Sequence, residues 1–287
     1  MKLSIITVNL NNKDGLQKTI DSVISQTFKD YEWIVIDGGS TDGSKELIEK
    51  YSDYITYWVS EPDKGIYNAM NKGIRVAKGE YLLFLNSGDY LYEDLTLDNV
   101  FKCNNGADII TGLVLRDNKS ELLRHNQSNI IKQLITDTLS HQGTLIKRNL
   151  FEKYEYREDF SIVSDWIAWM KWLLKEDCSF QQIDVLVSVQ QMAGISSKQK
   201  SVLREERKEA MTEIWGARMA NELPLLYKNI DYLKGELNIP AVCMLLYLYH
   251  KVPVAFSLLY RIISLFVTVI DCFRHKDSYN KFVLPKE

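Results

Sequence analysis

The first 85 residues alternate short apolar runs with segments of helical periodicity, and this alternation constrains the fold more than any other feature of the sequence. Apolar runs rich in β-branched residues predict four buried strands, and apolar residues at helical spacing predict three helices between them. The predicted strands cover residues 3–8, 31–36, 55–60 and 81–85, and the predicted helices cover 16–24, 44–51 and 68–77. This order is typical of an α/β protein with a mainly parallel, doubly wound sheet.

Polar side chains follow each of the four predicted strands. Asn9 follows the first strand and Asp37 follows the second. Asp63 lies in the connection after the third strand, and Asp89 comes shortly after the fourth. In open sheets of this kind, ligands bind beyond the carboxyl ends of the strands. The sequence therefore predicts that these four residues line one ligand site.

Asp89 closes the polar segment 86–89 and is a candidate metal ligand. A carboxylate behind Gly88 can approach a divalent cation, and Mg²⁺ or Mn²⁺ prefers carboxylate oxygens together with water and phosphate oxygens. Such a cation would neutralise charge on a leaving diphosphate. The alternative is a simple turn, since Ser, Gly and Asp are ordinary turn residues after a strand.

The loop 37–43 and the segment 60–73 carry further candidates for ligand binding. Asp37 could accept hydrogen bonds from a base or a ribose, whereas Asp42 could cap the helix that follows. Asp63 and Lys64 could meet the base and the phosphates of a nucleotide. Asp63 could equally be a turn residue, and Asn68 could be a helix cap. The residues alone leave both interpretations open.

The second half of the chain is less regular and contains one candidate base. Strands are predicted within 107–115 and 143–146, and a Trp-rich helix is predicted over 166–174. Asp165 precedes that helix, where the helix dipole favours the ionised carboxylate that a general base needs, although a plain N-cap would look the same. His141 could contact a metal or a diphosphate, or it could be an ordinary structural histidine.

Charge and cysteine usage exclude several classes of function. The formal net charge is −3, and Lys and Arg are scattered among Asp and Glu, so no basic stripe indicates a nucleic-acid partner. None of the four cysteines forms a CxxC pair, so neither a zinc site nor a redox motif is predicted. The apolar stretch at the N-terminus is too short for a signal peptide, and we therefore expect a cytoplasmic protein.

The last third of the chain predicts a helical extension. Residues 201–218 are highly charged with a helical period, whereas 239–273 are strongly apolar. Within 252–270 the single charge is Arg261, and Pro253 lies at the start, so a membrane span is disfavoured. A helix on the membrane surface fits better. A contact with a second copy of the chain, or packing on the core, is the other interpretation left open.

Four ordered motifs resemble glycosyltransferase family 2, the inverting enzymes with the A-type, Rossmann-like glycosyltransferase fold. The motifs are Ser-Ile-Ile-Thr-Val-Asn at 4–9, the loop motif at 34–43, Ser-Glu-Pro-Asp-Lys-Gly-Ile-Tyr-Asn-Ala-Met-Asn-Lys-Gly at 60–73, and the stretch 77–89 that ends in Asn-Ser-Gly-Asp. The motif at 60–73 resembles the bacterial subgroup that builds surface polysaccharides, including colanic-acid-type transferases.

The resemblance implies a nucleotide-sugar site in the first half of the chain. It implies that Asp37 and Gly38 bind the nucleotide base with Asn9 beside them. It also implies that Asp63 and Lys64 lie at the nucleotide. The donor implied is a nucleotide sugar, with a UDP-sugar favoured.

The resemblance also implies a metal ligand and a base, with departures from the family pattern. Asp89 matches the last position of an Asp-x-Asp motif, yet it is the only carboxylate of its segment, so Mn²⁺ or Mg²⁺ is expected at Asp89 alone. The family usually has an acidic pair at this point, but here Ser164 precedes Asp165, so only one acid remains. Asp165 is therefore the expected general base. His141 and Trp166 resemble residues of the family's acceptor-side region and are expected near the acceptor or the diphosphate.

Together these inferences predict residues 1–200 as a catalytic domain and 201–287 as the extension. The catalytic domain would contain a donor half, 1–95, and an acceptor half, 96–200. The predicted activity is inverting transfer from a UDP-sugar to a saccharide or lipid-linked saccharide in cell-surface polysaccharide biosynthesis. The extension could place the enzyme on the inner face of the membrane or join two copies of it.

Two other functions stay open at this point. A nucleotidyltransferase would need a basic, Gly-rich loop after the first strand, and residues 9–12 provide none. A non-catalytic sugar-binding protein of the same fold is compatible with the reduced acidic motifs.

Overall fold

The chain folds into two compact units, Met1–Glu206 and Arg207–Glu287. This computed structural model describes residues 1–117, 121–125, 130–174, 176, 178–191, 199–217, 220–222 and 224–225. Every strand within these ranges belongs to the first unit, which therefore contains the sheet that positions the candidate site.

Four parallel strands form the first half of the sheet. They are β1 (Leu3–Asn9), β2 (Tyr31–Asp37), β3 (Tyr57–Ser60) and β4 (Tyr81–Phe84). Their order is β3-β2-β1-β4, and each neighbouring pair is parallel. The chain runs from β1 outward to β3 and then returns to place β4 on the other side of β1. Ligands bind at such a reversal of strand order, beyond the carboxyl ends of the strands.

Helices cover both faces of the parallel strands, as the sequence predicts. They are α1 (Lys13–Ile24), α2 (Ser44–Lys50) and α3 (Ile66–Val76). Ile20 of α1 shares a buried cluster with Ile5, whereas α3 packs on Ile6, which points to the opposite face of β1. A Cβ on Gly73 would lie 2.5 Å from the Ile6 side chain, so only glycine permits this close approach of α3 to the sheet.

The second half of the sheet is mixed. Its strands are β5 (Tyr90–Leu91), β6 (Ile109–Arg116), β7 (Glu121–Leu123), β8 (Thr144–Lys147) and β9 (Phe180–Gln190). The order continues β4-β8-β6-β9-β5, with β7 on β6. β8 is antiparallel to β4 and β6, whereas β9 is parallel to β6. The predicted α/β class is confirmed, and the parallel arrangement is confined largely to its first half.

Five further α-helices lie in the described part of the chain. They are α4 (Thr96–Cys103), α5 (Ile130–Thr136), α6 (Leu150–Lys153), α7 (Ser164–Leu174) and α8 (Lys200–Trp215). The Trp-rich helix is thus found where the sequence predicts it, with Asp165 in its first turn.

Some element boundaries differ from the predicted ones. The third strand begins at Tyr57 instead of residue 55, because Ser52–Tyr54 form a 3-10 helix and the Ile55 amide donates to the Ser52 carbonyl. The longest of the described strands, β9, is not predicted at all. Its first half is rich in polar residues and has no continuous apolar run, so its sequence gives a weak strand signal.

The helical period predicted for 201–218 corresponds to α8, which ends at Trp215. Within the described parts of the chain, we find no helix long and apolar enough to cross a membrane. Residues 239–273 lie outside the described residues, so their interpretation as a membrane-surface or oligomer contact stays a prediction.

Candidate active site

The loops that follow β1, β2 and β4 are joined by hydrogen bonds. Asn11 donates from its backbone to Ser40 Oγ at 2.8 Å and accepts from the Thr41 amide at 2.9 Å, which ties the first loop to the second. Asn12 Nδ2 donates to the Ser87 carbonyl at 2.8 Å, which ties the first loop to the fourth-strand loop. The predicted polar edge of the sheet is therefore one connected structure.

Asp37 lies at the centre of this edge and is fully buried, with 0% of its surface exposed. Its carboxylate accepts four hydrogen bonds, from Asn9 Nδ2 (2.7 Å), Ser40 Oγ (2.5 Å), the Ser40 amide (2.9 Å) and Ser60 Oγ (2.6 Å). An ionised carboxylate has about four acceptor positions. All of those of Asp37 are filled by the protein itself.

The pKa of Asp37 reflects this environment. Burial alone would raise the pKa of the carboxyl group, but the hydrogen bonds from Ser40, Ser60 and Asn9 outweigh burial and hold the pKa below its ordinary value. The ionised carboxylate therefore orders the loop 38–42. Direct contact with a nucleotide would displace one of these donors, and the predicted contact of Asp37 with the base stays a prediction.

We expect Asp37→Asn to destabilise the fold. The amide keeps one acceptor oxygen and turns N–H groups toward donors that the carboxylate had satisfied. A loss of about 2 to 4 kcal/mol in the free energy of unfolding is expected from urea denaturation, because buried donors are left unpaired. Asp42→Asn is the matched control, since exposed Asp42 also accepts from backbone amides, those of Lys13 and Ser44, which water can replace. Equal losses in both variants would contradict the role of burial.

Asp63 and Gly38 touch beside Asp37. A Cβ on Gly38 would lie 2.6 Å from Asp63 Oδ2, while Asp63 Oδ1 accepts from the Gly65 amide at 2.9 Å. Lys64 is exposed. Asn9 Oδ1 is buried and has no hydrogen-bond partner among the described residues. This part of the edge thus includes a buried, unfilled acceptor on Asn9, near Gly38 and Asp63, which are also predicted to bind a nucleotide.

Asp89 lies in the loop after β4 with 6% of its surface exposed. Its Oδ1 accepts from the Gln191 amide at 2.9 Å. Burial raises the pKa of Asp89 to about 6, although the Gln191 amide, the nearby His141 and the Gln142 side chain each favour the ionised form. Asp89 is therefore a buried carboxylate whose charge is poorly compensated.

The donor set around Asp89 defines what kind of metal site it could form. No three His, Cys, Asp or Glu side chains converge on one point in the described part of the chain. A divalent cation at Asp89 would need oxygens from a bound substrate and water, as Mg²⁺ often does beside phosphates. A buried carboxylate with a raised pKa fits such a site, because a cation would supply the missing charge.

Asp165 has a different hydrogen-bond pattern, and 12% of its side chain is exposed. Oδ1 accepts from the Tyr67 hydroxyl at 2.9 Å and from the Trp166 amide at 2.8 Å. Oδ2 lies 3.1 Å from His141 Nδ1. Among the residues that the structure describes, three acceptor positions of this carboxylate are filled, which leaves one position open on Oδ2.

His141 bridges Asp165 to the loop of Asp89. Its Nε2 lies 3.2 Å from Asn86 Nδ2, and its Nδ1 faces Asp165. An ionised carboxylate only accepts, so Nδ1 donates to Asp165, and Nε2 is the partner of the Asn86 amide. Both ring nitrogens are thus engaged within the protein, and neither is left to bind a metal in this arrangement.

Trp166 supports the helix instead of lining an open surface. It is 2% exposed, and its Nε1 donates to the Leu134 carbonyl at 2.6 Å. This burial does not favour the predicted contact of Trp166 with an acceptor, which stays a prediction.

Four residues of this region were not predicted as site residues. Tyr67 and Asn86 lie within the recognised motifs, and Gln142 follows His141, so their neighbours could have indicated them. Gln191 follows the unpredicted strand β9, which returns beside the Asp89 loop through its pairing with β5. No local sequence signal indicates Gln191.

A family model decides which family this chain belongs to. The glycosyl transferase family 2 model matches residues 4–179, which is more than half of the chain. The chain belongs to glycosyltransferase family 2. Membership of this family favours the predicted glycosyltransferase activity over the nucleotidyltransferase and the non-catalytic alternatives.

Curated relatives of this family 2 chain include mycobacterial glycosyltransferases. An uncharacterized glycosyltransferase of Mycobacterium tuberculosis is 47% identical over 88 residues, which cover 30% of this chain and 34% of the relative. A PGL/p-HBAD biosynthesis glycosyltransferase of Mycobacterium bovis is 30% identical over 171 residues, which cover 57% of this chain and 66% of the relative. The chain thus spans about a third of the first relative and about two thirds of the second.

Solved structures show that the family 2 chain has the A-type fold. S. aureus TarS 1-349 matches with a TM-score of 0.61 at 18% identity, over 82% of this chain and 74% of TarS. The mannosyltransferase PcManGT from Pyrobaculum calidifontis, solved with GDP-Man and Mn2+, matches with a TM-score of 0.55 at 15% identity, over 96% of this chain and 88% of that chain. At these identities the likeness concerns the fold alone.

Proposed function

We propose that this family 2 enzyme transfers a sugar from a UDP-sugar to a hydroxyl of a saccharide or lipid-linked saccharide, with inversion at the anomeric carbon. TarS has been solved with UDP and with UDP-GlcNAc, at TM-scores of 0.60. This supports the choice of a UDP-sugar. The role in bacterial cell-surface polysaccharide biosynthesis is supported by the motif at 60–73.

The open acceptor position on Asp165 Oδ2 carries the proposal. A general base must accept a proton from its substrate, so its carboxylate needs an acceptor position that the protein does not fill. Asp37 has no such position, whereas Asp165 has one beside His141 in the part of the chain that the structure describes. The Tyr67 hydroxyl and the Trp166 amide fix the other oxygen of Asp165.

The reaction can be written through this position. The acceptor hydroxyl donates to Asp165 Oδ2, and its proton moves to that oxygen while the acceptor oxygen attacks the anomeric carbon. The bond from the anomeric carbon to the diphosphate oxygen breaks, and its electron pair leaves with UDP. Attack opposite the leaving group inverts the configuration. Holding the base and the acceptor in this geometry supplies much of the acceleration.

The nucleotide end of the donor is proposed to bind at the carboxyl edge of β1 and β2. Asn9 Oδ1 would accept an N–H group of the base, and Gly38 leaves room beside Asp63. The exposed ammonium group of Lys64 would meet the diphosphate. Asp37 would act by ordering the loop around them.

A divalent ion, Mn²⁺ or Mg²⁺, is proposed at Asp89. When bound, it would neutralise charge on the diphosphate. Asp89 would hold the ion together with phosphate oxygens and water, in keeping with the uncompensated buried carboxylate. PcManGT and a glucosyl-3-phosphoglycerate synthase of Mycobacterium tuberculosis were each solved with Mn2+, which supports the choice of metal.

Domain roles and location are proposed from the sequence. Residues 1–200 would be the catalytic domain, with the donor half in 1–95 and the acceptor half in 96–200. Residues 201–287 would be an extension that meets the inner face of the membrane or a second copy through 239–273. A lipid-linked acceptor would suit the membrane contact, and the enzyme would otherwise be cytoplasmic.

A thermal-shift screen tests the donor. The full chain is heated with Mn²⁺ and with UDP-GlcNAc, UDP-glucose, UDP-galactose or GDP-mannose in turn. A selective donor stabilises the native state by about 2.7 kcal/mol when its concentration is 100 times its Kd. We expect a rise in Tm with at least one UDP-sugar and a smaller rise when EDTA replaces Mn²⁺. A shift with GDP-mannose alone, or with none of the four, would overturn the proposed donor.

A further inference from the structure

The hydroxyl group of Tyr67 lies between two acceptors. It is 2.6 Å from the Ile162 carbonyl and 2.9 Å from Asp165 Oδ1, and the residue is buried. A phenol has one proton to donate, so the two acceptors share it. Tyr67 therefore links the candidate base to the peptide of Ile162, three residues before that base.

The same peptide region is held from its other side by Glu206 of α8. Glu206 Oε1 accepts from the Ser161 amide at 2.7 Å, and Oε2 accepts from the Ile162 amide at 2.9 Å. Hydrogen bonds to an ionised acceptor are stronger than neutral ones. Ile162 is thus fixed at its N–H by Glu206 and at its carbonyl by Tyr67.

We propose that Tyr67 and Glu206 are positioning residues that hold Asp165 in its rotamer by fixing the segment 161–162 ahead of α7. The inference rests on the proposed role of Asp165 as the base. Both residues act through other groups, because neither faces the open position on Asp165 Oδ2. Glu206 lies beyond residues 4–179, the range that the family model matches, and it is the last residue of the first compact unit.

The chain offers a matched control for each residue. Tyr67→Phe removes a hydroxyl that bonds to Asp165, whereas Tyr156→Phe removes a buried hydroxyl without a partner among the described residues. The two rings lie 5.5 Å apart, so both substitutions alter the same aromatic cluster. Glu206→Gln replaces one of two acceptor oxygens with a donor, and Glu205→Gln makes the same change at an exposed neighbour.

The position of the Asp165 carboxylate can be monitored by NMR, through the ring signals of His141, without any assay of activity. The full chain is labelled with ¹⁵N-histidine, and the His141 ring signals are assigned from their loss in His141→Gln. Because His141 Nδ1 faces Asp165, a displaced carboxylate changes these signals. We expect them to shift in Tyr67→Phe and Glu206→Gln and to stay unchanged in Tyr156→Phe and Glu205→Gln. Signals that are the same in test and control variants would overturn the inference.

Release of UDP from UDP-GlcNAc with Mn²⁺, with water as the acceptor, supplies the second measurement. We expect kcat to fall by about 10-fold to 100-fold in Tyr67→Phe and in Glu206→Gln, with KM for the donor unchanged, because misplacing a catalytic group by about 1 Å has such an effect. Asp165→Asn distinguishes a failure of the proposed base from a failure of the proposed positioning. Undiminished UDP release in Asp165→Asn contradicts the base, whereas unshifted His141 signals contradict only the positioning.

Discussion

The Asp165→Asn enzyme should bind a UDP-sugar normally and release UDP about 100-fold to 10,000-fold more slowly than the wild type, which is the range that general base catalysis contributes. The amide has nearly the same shape as the carboxylate but cannot take up the proton of the attacking hydroxyl. UDP release from UDP-GlcNAc with Mn²⁺ measures the rate, and the Tm shift with the same donor measures binding.

Two controls make the Asp165→Asn result specific. Asp53→Asn makes the same chemical change at an exposed residue of the 3-10 helix Ser52–Tyr54, away from the strand ends that form the site. Circular dichroism and urea denaturation check that the Asp165 variant is folded. If it turned over at the wild-type rate, Asp165 would not be the base, and if it failed to bind donor, its role would lie in the donor site.

For Asp89→Asn we expect a more stable protein that has lost its response to metal. Burial raises the pKa of Asp89 from its ordinary value of 3.8 to about 6, so the folded state binds a proton more readily than the unfolded state. The stability that this proton contributes is complete below about pH 4 and is lost as pH rises through about 6. Two units of pKa correspond to about 3 kcal/mol. Asn carries no charge and escapes this penalty.

The measurement is the free energy of unfolding of the metal-free protein at several pH values. Near pH 4 the variant and the wild type should agree, and above about pH 7 the variant should be more stable by up to about 3 kcal/mol. With Mn²⁺ and UDP present, the wild type should gain stability increasingly as pH rises through about 6, because the cation competes with the proton. The variant should show no such gain.

Asp53→Asn serves again as the reference, since an exposed carboxylate should give no pH-dependent difference of this kind. An Asp89 variant that is less stable than the wild type at every pH would contradict the uncompensated charge. A variant that keeps the full Mn²⁺-dependent stabilisation would move the metal site away from Asp89.

The proposed positioning of Asp165 involves a residue outside the range that the family model matches. Glu206 reaches the segment ahead of α7, so a change in α8 would alter the base without touching any substrate. If Glu206 positions Asp165 as proposed, we expect variants beyond residues 4–179 to lower kcat without changing donor affinity.

The sequence by itself determines the first half of the fold and the edge of the sheet at which the candidate site is predicted. The apolar strands and amphipathic helices up to residue 85 carry strong local signals, and parallel strands leave their polar ends at one edge. Asn9, Asp37 and Asp89 were found in this way. The second half has no such alternation of strands and helices. There β8 and β9 join the sheet by pairing with strands distant in the sequence, and not because of a local apolar pattern.

Tertiary structure alone decides which carboxylate can do which chemistry. Asp37, Asp89 and Asp165 look alike in the sequence, as acids at a strand end or a helix start. Among the described residues, folding fills all four acceptor positions of Asp37, buries Asp89 with little compensation of its charge, and leaves Asp165 with one open position beside His141. These differences depend on partners up to 102 residues away, such as Gln191 for Asp89, and no local pattern encodes them.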